Sequence, residues 1–176
     1  VMQFTLKGTP FIFQGDEMGL ANYEFTSMEQ ITDVEAKGYY AEHIKTEPEE
    51  KVFADILAGT REHARLLLPW NKKLPPCHEG LYQKPKKEVY AAYRRLLRLR
   101  HEEKAFVYGS FRVLCRRKNR FVYERALNGR VYVIDCNLGE KPCLAYPLKG
   151  KWKVVYDTAK PGRMLAGYEA RIVKKL

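Results

Sequence analysis

Cysteine is scarce in this sequence, and its spacing excludes the common cysteine-based sites. The four cysteines are Cys77, Cys115, Cys136 and Cys143, and they form no CxxC pair and have no histidine at zinc-ligand spacing. We therefore expect no metal site and no bound cofactor. Such spacing is typical of reduced thiols, which indicates a cytoplasmic protein.

Long apolar runs are also absent. No run approaches the roughly 20 residues that a membrane-spanning helix needs. No basic stretch followed by an apolar one and a cleavage site stands at the front of the sequence. We therefore expect neither membrane insertion nor secretion.

Acidic residues are scarce in the second half of the chain. Residues 1–83 hold 8 basic and 13 acidic residues, a net charge of −5, whereas residues 84–176 hold 24 basic and 8 acidic ones, a net charge of +16. The basic residues are scattered, and no glycine-rich phosphate loop or aromatic RNA-binding motif accompanies them. We interpret them as a solvated surface and expect no nucleic-acid partner.

The stretch FTLKGTPFIFQG, residues 4–15, predicts a short buried strand that ends in a glycine turn. Phe11, Ile12 and Phe13 are continuously apolar, which favours a parallel strand covered on both faces. A single parallel strand needs a sheet, and no other part of the chain supplies one. We therefore expect that either the assignment fails or the sheet lies in residues outside this sequence.

Three helices are predicted after this strand. Thr32 and Glu35 have capping-box spacing before a helix that reaches about Ile44, and Pro48 opens a second helix that stops near Gly59. A third helix begins at Glu88, where apolar residues recur with helical spacing. These residues are Val89, Ala92, Tyr93, Leu96 and Leu97.

Beyond residue 104 the helical period gives way to strand alternation. Short runs rich in Val, Tyr and Phe follow, and Asn128-Gly129 between two of them predicts a β-hairpin. They predict an antiparallel β-sandwich of about 70 residues. We therefore divide the chain into residues 1–104 and residues 105–176. The runs are FVYGSFRVL, RFVYERAL, RVYVIDCNL, WKVVYD and YEARIVKKL.

Five segments, in order, resemble the C-terminal part of glycoside hydrolase family 13, the α-amylase superfamily, in its oligo-1,6-glucosidase and α-glucosidase branch. The first resembles the eighth-strand motif of the (β/α)8 barrel, and the last resembles the closing strand of the following sandwich. The resemblance implies an α+β fragment: the last strand and helices of a (β/α)8 barrel, then a C-terminal antiparallel β-sandwich. The segments are LKGTPFIFQGDEMG, MEQITDVEAKGYY, REHARLLLPW, YAAYRRLLRLRHEEKAFVYGSFRVL and YEARIVKKL.

The resemblance also implies a chemistry that this chain cannot complete alone. The family cleaves α-glucosidic bonds with retention, using a nucleophile and a general acid/base that are both carboxyl groups. Those residues, and a further Asp that holds sugar hydroxyls, follow the fourth, fifth and seventh strands and lie upstream of this sequence. We therefore expect no catalytic residue here, an inactive isolated chain, and oligosaccharide binding only with the missing part of the barrel.

The resemblance assigns roles to four residues. Gln14, Asp16 and Glu17 follow the eighth strand and are expected to support the sugar site from beneath. A solvated loop charge and direct catalysis are the alternatives for Asp16 and Glu17. Arg65 matches the family's substrate-side arginine, although Leu66 to Pro69 replace the usual Thr-Pro-Met-Gln and a structural ion pair is the alternative.

Other readings of the chain remain open. The histidines have no catalytic or metal-binding spacing, and we expect them at the surface. A non-catalytic carbohydrate-binding or interaction module is the main alternative function, and a polyanion binder is a third. Exposed barrel surface in the isolated chain makes self-association a further expectation.

Overall fold

The computed structural model describes residues 1–68 and 84–176. The chain divides into two compact units, one of residues 1–11 and 91–176 and the other of residues 12–90. Each unit has its own hydrophobic core. Within the described ranges, no helix has the length and apolar character to cross a membrane.

The unit of residues 12–90 is helical. Its described elements are the 3-10 turns Asp16–Met18, Met28–Gln30 and Arg61–Ala64, the helices α2 (Val34–His43) and α3 (Glu49–Gly59), and the first turn of α4 (Lys87–Glu102). Buried Phe25, Ile31, Val52 and Ile56 form its core. The helix predicted to reach about Ile44 and the helix predicted from Pro48 to near Gly59 are both present, as α2 and α3.

The cap of α2 differs from the prediction. Asp33 is the N-cap, and its side chain accepts a hydrogen bond from the Ala36 amide at 3.4 Å. The Thr32 hydroxyl instead donates to the Glu62 carboxylate at 2.6 Å. Asp is as good an N-cap as Thr, and the prediction of Thr32 as the cap was wrong.

The other unit is built on an antiparallel sheet. Its strands are β1 (Ser110–Arg117), β2 (Arg120–Leu127), β3 (Arg130–Asn137), β4 (Cys143–Leu144), β5 (Trp152–Asp157), β6 (Met164–Leu165) and β7 (Ala170–Lys175). The five-stranded sheet has the order β1-β2-β3-β7-β5, and β4 pairs with β6 in a separate two-stranded ribbon. The predicted antiparallel strands are present except at the start of the run FVYGSFRVL, where Ala105–Tyr108 forms a short helix, α5, before β1 begins at Ser110. In the described residues the second sheet is only this two-stranded ribbon, smaller than the second sheet of a sandwich.

The hairpin between β2 and β3 turns at the predicted dipeptide. Asn128 has a φ of 49° and Gly129 a φ of 78°, both in the left-handed region. Two-residue type I′ turns require this geometry, because it matches the twist of the paired strands. The register runs from Leu127 opposite Arg130 to Arg120 opposite Asn137.

The predicted strand over residues 4–15 does not form. Met2–Thr5 is a short helix, α1, with Phe4 buried in the core of the sheet unit. Phe11 and Phe13 are 84% and 56% exposed, and no strand pairs with this segment in the described residues. A strand gains its hydrogen bonds only from a neighbour, and residues 1–68 and 84–176 offer none here.

The helix α4 packs against the sheet, although its buried stripe differs from the predicted one. Leu96 is buried, whereas Leu97 is 39% exposed. The stripe continues instead through Arg100, which lies one helical turn after Leu96 and is buried. Phe4 meets Tyr93 edge to face at 5.2 Å. The expected division near residue 104 therefore falls inside this compact unit.

Two buried guanidinium groups fasten the N-terminal segment to the sheet unit. Arg125 on β2 donates to the carbonyl oxygens of Thr5 at 2.6 Å and Phe106 at 3.0 Å. Arg100 donates to the same Phe106 carbonyl at 2.9 Å and to that of Phe4 at 2.9 Å. Burial lowers the pKa of both guanidinium groups, and the proximity of Arg100 lowers that of Arg125 further.

Removing the Arg125 side chain should destabilise the sheet unit. Its side chain is fully buried and also serves the carbonyls of Ser110 and Gly109. Arg125→Ala takes this donor from the carbonyls of Thr5, Ser110 and Gly109, while Phe106 keeps only Arg100. We therefore expect a loss of at least about 3 kcal/mol of unfolding free energy. Urea denaturation of the whole chain measures this change.

The matched control is Arg116→Ala, which removes an exposed arginine from β1. We expect it to change the unfolding free energy by no more than about 0.5 kcal/mol. Equal effects of the two substitutions would show that the buried guanidinium group does not hold the unit together.

Candidate functional site

A tight loop carries three of the predicted site residues. It follows residues 6–13, called the extended segment below, which form neither a helix nor a strand. Gly15 and Gly19 have φ values of 97° and 65°, and they flank the 3-10 turn Asp16–Met18. The φ of Gly15 lies in the region that favours glycine, and a Cβ there would also lie 2.9 Å from Leu20 Cδ1. Met18 is buried and anchors the turn.

The two carboxylates of this loop bind the loop's own backbone. Asp16 Oδ2 accepts a hydrogen bond from the Phe13 amide at 3.2 Å. Glu17 Oε2 accepts one from the Gly15 amide at 3.1 Å. These contacts fix the path of the chain where it leaves the extended segment. Both carboxylates therefore act as hydrogen-bond acceptors for backbone amides of their own loop.

A pocket of about 200 Å³ lies between this loop and the segment after α3. Gln14 and Asp16 line it, together with His63, whereas Glu17 and Arg65 are not among its lining residues. Pockets for drug-sized ligands usually enclose 300–1,000 Å³. The pocket is therefore too small to enclose an oligosaccharide without further walls.

Arg65 forms an ion pair with the N-cap of α2. Its Nη1 donates to Asp33 Oδ1 at 2.8 Å, and Asp33 is 7% exposed while the arginine side chain is 49% exposed. Arg61 approaches the same carboxylate oxygen at 3.5 Å and pairs with Glu35 at 2.5 Å. The contact leaves about half of the Arg65 side chain open to solvent and to a ligand.

Glu62 holds the same segment from the inside. Its carboxylate is buried and accepts hydrogen bonds from both the amide and the hydroxyl of Thr32, at 2.7 and 2.6 Å. Thr32 therefore binds Glu62, and its neighbour Asp33 binds Arg65. Sequence reasoning missed Asp33, although its position just before a helix is the N-cap signal that identifies it.

His63 is a structural residue and not the surface residue that the sequence predicted. Its Nδ1 accepts from the Tyr23 amide at 3.1 Å, which places the ring proton on Nε2, and Nε2 donates to the Leu57 carbonyl at 2.9 Å. The ring also lies 5.3 Å from that of Phe25. No local spacing signals such contacts, because the partners come from two separate segments, residues 23–25 and the end of α3.

The other histidines differ among themselves. His43 is partly buried and pairs with Glu47 at 2.7 Å, whereas His101 is exposed. His78, and Trp70 at the end of the REHARLLLPW segment, lie outside the described residues.

The chain matches a known family and a set of glycosidases. The family described as alpha amylase, catalytic domain, matches residues 1–109. The oligo-1,6-glucosidase of Halalkalibacterium halodurans is 30% identical over 151 residues, which are 75% of this chain and 27% of that protein. The glucan 1,6-alpha-glucosidase of Streptococcus dysgalactiae subsp. equisimilis is 25% identical over 181 residues, 90% of this chain and 33% of that protein.

Solved structures share the fold over almost the whole chain. The trehalulose synthase MutB of Pseudomonas mesoacidophila superposes with a TM-score of 0.75 and 25% identity, over 98% of this chain and 36% of that one. The chain therefore spans about a third of the length of the proteins that it matches. Because the family match covers more than half of its residues, the chain belongs to the α-amylase family, and residues 1–109 correspond to the catalytic domain of that family.

Proposed function

We propose that this chain is the C-terminal part of a retaining α-glucosidase that hydrolyses α-glucosidic bonds in short oligosaccharides, as an oligo-1,6-glucosidase does. The observation that carries the proposal is the family match together with relatives named as oligo-1,6-glucosidase and glucan 1,6-alpha-glucosidase. In this proposal residues 1–104 complete the (β/α)8 barrel and residues 105–176 form the C-terminal domain. The nucleophile and the acid/base come from outside this sequence, and we expect the protein in the cytoplasm.

The contacts of the glycine-flanked loop support a positioning role for its polar residues. A retaining glycosidase needs two carboxyl groups about 5–5.5 Å apart across the scissile bond. Asp16 and Glu17 instead bind the amides of Phe13 and Gly15. We assign them, with Gln14, to holding the loop under the sugar site.

The exposed aromatic residues support the completion of the barrel by further residues. Phe11 and Phe13 expose most of their surface, and Ile12 is 39% exposed. Burying such a side chain is worth about 1.5–3 kcal/mol. A neighbouring barrel strand would cover them, and self-association would cover them in the isolated chain.

The isolated chain should not hydrolyse aryl α-glucosides or isomaltose, because the covalent and proton-transfer pair is absent. A chimera in which this chain replaces the matching part of the Halalkalibacterium oligo-1,6-glucosidase should hydrolyse both. Steady-state assays of the purified proteins, with thermal unfolding as the check on folding, measure this. Turnover by the isolated chain, or a folded but inactive chimera, would contradict the proposal.

Arg65→Lys in that chimera should lower kcat/KM by about tenfold, or roughly 1.4 kcal/mol of transition-state stabilisation. The reason is that lysine keeps the charge but loses the planar guanidinium group. The melting temperature separates this effect from loss of the Asp33 ion pair.

Arg61→Lys is the matched control, since Arg61 approaches the same carboxylate from a more exposed position. It should leave kcat/KM within about twofold of the parent value. Unchanged kinetics in Arg65→Lys would assign Arg65 to structure alone.

Asp16→Asn in the chimera should lower kcat by less than about tenfold. An amide oxygen can still accept the hydrogen bond from Phe13, whereas loss of a general acid or base costs about 10²–10⁴-fold. Steady-state kinetics at saturating isomaltose test this. A fall of a thousandfold with an unchanged melting temperature would make Asp16 a catalytic residue.

A further inference from the structure

A second, larger pocket lies on the sheet unit. It measures about 900 Å³ and is bounded by the turn between β1 and β2, the segment of residues 137–147, and Tyr168. This volume falls within the range of small-molecule binding sites. All of its walls belong to the unit of residues 1–11 and 91–176.

One wall of this pocket is held rigidly by a buried ion pair. Arg120 Nη2 donates to Asp135 Oδ2 at 2.7 Å, and the two side chains are 15% and 8% exposed. Arg120 Nη1 also contacts Cys143 Sγ at 2.9 Å, and the Tyr146 amide donates to Asp135 Oδ2 at 2.7 Å. The wall is therefore fixed before any ligand arrives, which reduces the entropic cost of binding.

A second wall is fixed by Asn137. Its buried amide nitrogen donates to the carbonyls of Lys141 and Ala166, at 2.9 and 2.7 Å, and its oxygen accepts from the Gly139 amide at 3.1 Å. This single side chain ties the loop after β3 to the loop before β7. The two loops meet closely, because a Cβ at Gly167 would lie only 2.0 Å from the Glu140 carbonyl oxygen.

Tyr168 stands at the rim of the pocket in a strained conformation. Its φ is 58°, a left-handed value that costs an ordinary residue about 1–2 kcal/mol. Its amide donates to the Gly139 carbonyl at 3.0 Å, but the residue is 67% exposed, so core packing does not repay the strain. Strain of this kind is concentrated at sites that bind ligands.

The remaining lining selects the class of ligand. Exposed Asn119 and Glu140 line the pocket together with Tyr168 and offer hydrogen-bonding groups, and Lys141 and Arg117 add donors. Because Asp135 neutralises Arg120, only one surplus positive charge remains among the lining side chains. An aromatic face beside polar edges suits a neutral ligand that has a C–H face and a rim of hydroxyl groups.

We propose that this pocket is a binding site for a short α-linked gluco-oligosaccharide, with Tyr168 as the stacking platform. The choice of glucose units rests on the proposed function, whereas the pocket itself does not. Such a site would hold an oligosaccharide on the sheet unit.

The test is titration of the whole chain with isomaltotriose, maltotriose and glucose 6-phosphate, followed by NMR. We expect saturable binding of a neutral trisaccharide and at least a tenfold rise in Kd in Tyr168→Asn. Asparagine tolerates the left-handed conformation, so this variant should keep its fold. Tyr108→Asn is the control, since Tyr108 is 73% exposed on α5 (Ala105–Tyr108) and outside the pocket lining.

The outcomes separate this proposal from the catalytic one. Binding that is lost in Tyr168→Asn and kept in Tyr108→Asn and Arg65→Lys would support the site even if the chimera were inactive. No saturable binding of either trisaccharide, equal effects of the two tyrosine variants, or binding of glucose 6-phosphate alone would overturn it, whatever the activity of the chimera.

Discussion

The sheet unit depends on two guanidinium groups that share one carbonyl oxygen. Arg100 and Arg125 both donate to Phe106, and between them they also serve carbonyls of α1 and of the turn before β1. Two buried positive charges repel each other and lose hydration. The stabilisation from their charge-assisted hydrogen bonds must exceed this cost. The benefit is that residues far apart in sequence become one unit.

These hydrogen bonds explain why the N-terminal segment is buried at residues 4 and 5 but exposed at residue 11. Thr5 and Phe4 are buried against the sheet, and the Thr5 hydroxyl lies 2.5 Å from the hydroxyl of Tyr123. Burial raises the pKa of Tyr123, so that hydroxyl keeps its proton. A few residues later Phe11 is 84% exposed. The anchored part finds partners within the chain, whereas the exposed part is apolar and pairs with no strand of the part of the chain that the structure describes.

Local patterns predicted what local forces determine. The start of α3 after Pro48 and the Asn128-Gly129 turn follow from short-range backbone preferences, and both are present. The strand at residues 4–15 failed because its hydrogen bonds would have to come from other strands. Arg100 was not predicted to be buried, because an arginine is buried only where several acceptors converge. The contacts of Arg65 and His63 likewise depend on segments that meet only in the folded chain.

The amides of Phe11 and Ile12 test the central proposal. It holds that the extended segment becomes a barrel strand when the other strands of the barrel are present. Hydrogen–deuterium exchange should be compared between the isolated chain and the chimera with the Halalkalibacterium glucosidase. We expect rapid exchange at both amides in the isolated chain and strong protection in the chimera, because a barrel strand is hydrogen-bonded on both sides. Equally rapid exchange in a folded chimera would contradict the account.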